Sequence, residues 1–372
     1  MPQTEFFSHN LNLGASKDYE ASCNGILTAA ASHLRILMEG NEAQLPELLT
    51  RESSNMTGSG NEFETGANIV SDYFDVVRFQ RGEFLNPEVG GMFFHQGLAG
   101  GIVDTPVAGQ AGAHDHEFGM QLDSDASGFN MLTRSLIEDV GGVSYVYGGV
   151  GVEEYGVNWD GGEFPKFDTK LVGTGYHKPL SDYPALTLPT LEAQIPFNYL
   201  SSVGAKLEWT GAPWGGLYNA ANSGRFMAFQ FNFKNNPLIG GKERQPNDPI
   251  ITDADGYEGA VQNRLRRGVR EATARVTLRL DNLTREFKAQ KSKAICTNLK
   301  LVFQGGKIGL TTARYEWELK IPKFRVMKVT PGEMNREEVL HLDLKIYKDT
   351  TTGGLVKGRI RNNVAAGIIA TV

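Results

Sequence analysis

The chain has 372 residues, of which 40% are hydrophobic and 22% charged, and a formal net charge of −6. That length buries a substantial core and leaves room for two domains, while the acidic balance excludes a protein that grips nucleic acid through a broad basic face. Two distant cysteines, Cys23 and Cys296, exclude a disulfide scaffold or a clustered zinc site and are expected as reduced thiols.

The 44 glycines, spread among short aromatic and β-branched runs, predict many turns and a mainly β protein. The N-terminus, MPQTEFFSHNLNLG, has no basic stretch followed by an apolar core, so no signal peptide is expected. No apolar run reaches the roughly 18–20 residues that span a bilayer as a helix. Without an export signal the sequons at Asn55 and Asn282 are expected to stay unmodified. Residues 1–60 read as an N-terminal arm with one strand at His33–Met38. FDVVRFQRGEF reads as a strand feeding a short helix in NPEVGGMFFHQGLAGG. There Asn86 is a natural cap, Pro87 suits the first helical position, Glu88 suits the positive helix end, and Gly100-Gly101 is expected to stop the helix.

Short β runs follow: HEFGMQL, FNMLTRSLI, VSYVYGGV and the hairpin YGVNWDGGEF with its continuation FPKFDTKLVGTG. Residues 177–224, rich in Pro, Ser and Gly, read as an inter-unit segment. In GRFMAFQFNFKNN, Met227, Phe229, Phe231 and Phe233 fall on one face. ATARVTLRLDN alternates Val276, Leu278 and Leu280 against Arg275, Thr277 and Arg279, then enters a predicted short helix in LTREFKAQKSKA. LKLVFQGGKI repeats the alternation of the first hairpin, with Gln304-Gly305-Gly306 standing where Asp160-Gly161-Gly162 stood, so a second turn is expected there. RYEWELKIPKFRV puts Tyr315, Trp317, Leu319 and Ile321 opposite Glu316, Glu318 and Lys320. VLHLDLKIYKD puts Leu340, Leu342, Leu344 and Ile346 opposite His341, Asp343 and Lys345. The order strand, capped helix, strands and hairpin recurs, which suggests two related β-barrel or sandwich units, each with a short helix. The expected division is an arm at 1–60, a first unit at 61–200 and a second at 201–372.

Signals for chemistry stay weak. His114 and His116, two apart on a strand, point to one face, as in some metal sites, but no further ligands are evident. Glu153-Glu154 and the loop DADGYEG are solvated carboxylates; the loop lacks the ligand set of a calcium site. Phosphate-loop and nucleophile-elbow motifs are absent. RLRRGVRE, residues 264–271, is the one dense basic run and reads as a loop or interface region. Trp209 and Trp214 offer a sugar platform, the alternative reading of a β-rich carbohydrate-binding or hydrolytic module, whereas Trp159 and Trp317 read as core. No catalytic residue, metal or cofactor is assigned. Edge strands without proline favour assembly.

Four stretches resemble the tail tube proteins of long-tailed bacteriophages, in the group with a tandem or pseudo-repeated β-barrel. They are RFQRGEFLNPEVGGMFFHQGLAG, YVYGGVGVEEYGVNWDGGEFPKFDTKLVGTGY, RVTLRLDNLTREFKAQKSKAICTNLKLVF and YEWELKIPKFRV. The resemblance covers about 60–350 and concerns fold rather than catalytic signatures. It implies a non-enzymatic virion protein, made in the host cytoplasm, whose copies stack as sixfold or pseudo-sixfold rings into a hollow tube. Its implied partners are other copies of itself, the tail terminator, the tape measure, and baseplate or tip proteins. Double-stranded DNA is implied to pass through the lumen without specific binding, and no membrane is involved. The resemblance makes Glu316, Glu318 and Asp343 candidate lumen residues, and loops 45–72 and 235–262 candidate ring-to-ring contacts. A terminator or hub of similar fold is the nearest alternative.

Overall fold

The structure is a computed structural model. It describes residues 11–16, 18–21, 23, 25–28, 33–36, 47–50, 75–78, 82–84, 86–122, 129–140, 143–186, 200, 205–209, 226–238, 250–252, 258–260, 264–281, 295–349 and 354–368. The first half holds β1 (Leu11–Ser16), β2 (His33–Ile36), β3 (Glu47–Thr50), β4 (Asp75–Arg78), β5 (Gly82–Phe84), α1 (Pro87–Leu98), β6 (Ala99–Pro106), β7 (His114–Met120), β8 (Arg134–Val140), β9 (Val143–Asp160), β10 (Lys166–Val172) and β11 (His177–Pro179). The second half holds β12 (Lys206–Trp209), β13 (Phe226–Lys234), β14 (Pro237–Leu238), β15 (Ile250–Thr252), β16 (Glu258–Ala260), β17 (Arg266–Arg267), β18 (Glu271–Arg279), β19 (Cys296–Lys307), β20 (Arg314–Met334), β21 (Glu337–Ile346) and β22 (Lys357–Asn362). The chain is mainly β, with one α-helix among the described residues. The predicted helix at 283–294 and Trp214 lie outside them.

Most of the strands form an antiparallel sheet that bends back over itself without closing, while β14 pairs with β17 and β15 with β16 in two small sheets apart from it. Its front layer runs β5–β10–β9–β13–β18–β21, and β21 pairs with the second half of β20. The back layer runs β12–β19–β20–β22–β7–β6 and uses the first half of β20. The first half of β9 leaves the front layer to pair with β8 and β11, and β8 adds β1 and β2. The described part of the expected N-terminal arm therefore supplies sheet strands, because its alternating LNLGAS run completes the edge of β8.

The corner of the sheet has a local cause. In β20 the core-facing residues are Trp317, Leu319 and Ile321 and then Phe324 and Val326, so the alternation changes parity at Pro322-Lys323. The paired β19 changes parity at the same level, where Asn298 takes φ 55 between buried Leu299 and Cys296. Asn tolerates the left-handed region and Pro removes a ladder donor, so the pleat breaks where the sheet turns.

Helix α1 fills the space between the layers. Asn86 Oδ1 accepts hydrogen bonds from the Glu88 and Val89 amides at 2.9 and 3.5 Å, as its cap position predicts. Every residue of the helix is buried, the condition of a helix packed on all sides. Phe94 touches both layers: its ring stacks on Tyr155 of β9 at 4.7 Å and meets Phe231 of β13 at 6.0 Å. On the other side it meets Phe118 of β7 at 5.7 Å and Trp317 of β20 at 5.8 Å. The expected stop at Gly100-Gly101 falls one residue early: Ala99 takes the left-handed cap conformation at φ 59 and both glycines continue in β6. Gly100 is needed there for another reason, since a Cβ would lie 2.2 Å from the Gly119 carbonyl oxygen of β7.

Other differences follow from β-bulges. A register shift between Phe226 and Ala228 puts Phe226, not Met227, on the core face with Phe229, Phe231 and Phe233. Asp160-Gly161-Gly162 forms the expected turn, with Gly162 at φ 100 and the Glu163 amide donating to the Asp160 carbonyl at 2.9 Å. Gln304-Gly305-Gly306 does not turn: β19 runs through it to Lys307 with a register shift, and the turn comes at 308–313. Glycine inside a strand marked a bulge here, so the two similar motifs hold different places. The units expected at 61–200 and 201–372 share one sheet, since β9 pairs with β13 and β7 with β22, and one core cluster contains residues from Ala15 to Ile368.

Candidate functional site

The front layer presents a polar face opposite its core. Register aligns Asn158, Gln230, Arg275, Asp343 and Lys328 in one row across β9, β13, β18, β21 and β20. The next row is Gly156, Asn232, Thr273, Lys345 and Arg325. Strict alternation sends the intervening Val157, Phe231, Ala274 and Leu344 inward. Between these rows lies an open groove of about 830 Å³, walled by Asn158, Gln230, Asn232, Arg275, Asp343 and Lys345 among others.

Most charges on this face are neutralised across strands. Arg275 Nε donates to Asp343 at 2.6 Å, and Arg279 holds both Glu337 oxygens at 2.6 Å. Lys234 Nζ donates to Glu154 at 2.9 Å, and Lys170 lies 3.4 Å from Glu153. The bonds to Asp343 and Glu337 raise the pKa of Arg275 and Arg279. The neighbouring Glu153 and Glu154 thus serve two different lysines rather than acting as an acid pair.

The three candidate lumen residues divide between two faces. Asp343 is on the groove face of the front layer. Glu316 and Glu318 are on the outer face of the back layer, turned the other way from the shared core, and they are buried rather than open. Glu318 is 1% exposed. Arg359 of β22 donates to it through Nε at 3.2 Å and reaches Glu316 at 2.8 Å and Asp115 of β7 at 2.8 Å. Lys300 and Lys320 stand 3.2 and 3.1 Å from Glu318, and Arg361 donates to Asp115 at 2.7 Å. Burial pushes the Glu318 carboxyl up, but Arg359, Lys320 and Lys300 outweigh it and hold the pKa below the usual range. Burial likewise works against the Arg359 charge, and Glu318, Asp115 and Glu316 more than restore it. Glu316 and Glu318 therefore lock the back layer and offer no open carboxylate to a lumen. Nothing in the sequence pairs Arg359 with Glu318, 41 residues apart; the only hint is Arg359 and Arg361 alternating on β22.

The other candidates resolve into structural roles. His116 is fully buried, with Nδ1 2.6 Å from Asp104 Oδ1 and Nε2 2.9 Å from Asn362 Oδ1. Among the described residues no group of three or more His, Cys, Asp or Glu is placed to hold a metal ion. Trp209 is buried against Phe324 at 4.8 Å, so it is core and not a sugar platform. Trp159 and Trp317 are also core. In the basic run, buried Arg267 lies over the Phe129 ring at 5.3 Å, and Arg270 donates to Asn235 Oδ1 at 3.0 Å and the Gln121 carbonyl at 2.9 Å. Cys296 is a buried thiol whose pKa burial pushes up to about 11. No described helix is long and apolar enough to cross a membrane. No family model matches the chain, and no curated protein matches it.

Proposed function

We propose that the chain is a structural subunit of a bacteriophage tail tube, whose copies assemble into stacked rings around a bore that passes double-stranded DNA. The observation that supports this best is the front layer itself: a broad, grooved, polar sheet face with paired charges, backed by a core-buried helix. Such a face lines a channel without holding what moves through it, because paired charges present little net field. Asp343 and Arg275 lie on that face; Glu316 and Glu318 are withdrawn from the lumen role. The open sheet ends at β6 and β12 leave backbone groups for pairing between neighbouring copies, and rings close such heterologous contacts. Further partners on this reading are the tail terminator, the tape measure and baseplate or tip proteins, in the virion tail. One shared sheet and core per chain favour six chains per ring over three doubled ones. Negative-stain microscopy of the purified full-length chain tests the reading. Rings or hollow rods are expected; monomers at every concentration would remove it.

A further inference from the structure

The C-terminal end of the described chain is tied back to the back layer through one histidine. His116 of β7 is 0% exposed, with Asp104 of β6 opposite it and Asn362 of β22 beside it. Its Nδ1 faces Asp104 Oδ1 at 2.6 Å, and its Nε2 faces Asn362 Oδ1 at 2.9 Å. The Asn362 amide has a fixed sense. Its Nδ2 donates to the Ile368 carbonyl at 2.8 Å, and its Oδ1 accepts from the Val364 amide at 2.9 Å. The Asp104 carboxyl is ionised. Burial works against that charge, but the His116 hydrogen bond, the Gly367 amide at 3.2 Å and the nearby His116 and His114 rings outweigh it and hold its pKa below the usual range. Both ring nitrogens of His116 therefore face acceptors. A neutral imidazole has one N–H and one lone pair, so only the imidazolium satisfies both partners. A charge buried this far is held by the carboxylate beside it.

We infer that the His116 imidazolium is a latch: it holds the C-terminal segment 363–368 against β6 and α1 while it carries both ring protons, and frees that segment when it loses one. Among the described residues 363–368 joins no strand. Its polar anchors are the Gly367 amide on Asp104 and the Val364 amide and Ile368 carbonyl on Asn362. All of them run through the two residues bonded to His116. Its apolar anchor is buried Ile368, whose Cγ2 lies 3.7 Å from where a Cβ on Gly91 of α1 would stand. Loss of a ring proton sets a lone pair against an oxygen of Asp104 or Asn362, and one anchor goes. Asp104, with a side chain 31% exposed, gives that proton a way to solvent. The other titratable groups in reach are His114 on β7, which favours the ionised Asp104, and His95 of α1, on which Asp104 acts in turn. Asp115 and Glu117 of β7 pair in register with Arg361 and Arg359 on the opposite face of the sheet. The latch does not rest on the tube reading.

Two readouts on the full-length chain test it together. Nitrogen NMR of labelled histidine, with His116→Gln to assign the signal, reads the ring protons. Hydrogen exchange by mass spectrometry over 362–368, corrected for the intrinsic rate at each pH, reads the strap. Both ring N–H groups of His116 are expected at about pH 6, where protection of the strap is highest. Protection should fall on either side. The folded pKa of Asp104 is depressed, so its contribution is present above the unfolded value and lost as pH falls. On the other side the contribution is lost as the ring gives up its proton. There protection should drop roughly tenfold by about pH 9, as for one hydrogen bond to a charged group. Peptides from β9 and β13 should keep theirs. Asp104→Asn, made at a partly exposed side chain, should leave a neutral His116 at about pH 6, lower strap protection there and remove both limbs of the profile. A single ring N–H in wild type at about pH 6, strap protection flat to about pH 9, or equal loss in β9 and β13 would overturn the latch. So would an Asp104→Asn chain with the wild-type profile.

Discussion

At the scale of single residues, Arg359 decides the most. It is the shared cation of Glu318, Glu316 and Asp115, and removing it leaves a buried carboxylate without its main partner. Breaking a buried pair from one side costs about 3–5 kcal/mol, whereas replacing both members by apolar groups is often close to neutral. Arg359→Met is therefore expected to lower unfolding free energy in urea by about that amount, and Arg359→Met with Glu318→Leu to recover much of it. A loss under about 1 kcal/mol in the single variant would show the network to be ornamental. Two buried titratable groups set the acid behaviour in opposite senses. Burial pushes the Glu138 carboxyl up to about 7 although the Tyr147 hydroxyl donates to it at 2.9 Å. The folded state then holds a proton that the unfolded chain has lost, so this group's stabilisation is full below about pH 4.5 and is lost as pH rises towards 7. Burial lowers His95 to about 4, with Tyr19 and Gly100 bonded to its ring. The folded state resists that proton, so stability is lost as pH falls from about 6.5 to 4. In Glu138→Gln only the second slope of the two remains, and stability measured from pH 4.5 to 6.5 is expected to rise more steeply than in wild type. An unchanged profile would mean that Glu138 is ionised in the fold.

At the scale of elements, the sequence showed period and capping well and pairing poorly. Leu340, Leu342, Leu344 and Ile346 face the core as their alternation predicted, and Asn86 caps α1 as its position predicted. These are local rules, fixed by the pleat and by the free amides of a helix start. What failed was counting through bulges: Phe226 replaced Met227 on the core face, and Gln304-Gly305-Gly306 was a bulge rather than a turn. Glycine permits both conformations, and only the partner strand selects one. The candidate site was half legible for the same reason. Asp343 was on a usable face, but whether Glu316 and Glu318 were open depended on Arg359, which the fold brings from a distant strand. Gly100→Ala tests the element-scale account. Its methyl would press on the Gly119 carbonyl where β6 meets β7, and overpacking of that kind costs about 1–3 kcal/mol. The same change at exposed Gly101, whose Cβ meets nothing within 4 Å, should cost much less. Equal effects in thermal unfolding would argue against the close approach.

At the scale of the whole molecule, one helix sits between two layers that are parts of one sheet, and Phe94 bridges them. Truncating it to alanine should cost about 3–5 kcal/mol and loosen both layers together, visible as a single cooperative transition at lower urea rather than two. A biphasic transition would show that the two layers unfold apart and that Phe94 does not couple them. The central claim, a ring-forming subunit with its front layer towards a bore, is tested most directly by electron cryomicroscopy of the assembled full-length protein. Hollow rods of sixfold rings are expected, one chain per repeat, with Arg275 and Asp343 facing the bore and Glu318 buried within the subunit. Solid particles, or rods whose bore is lined by another face, would contradict it.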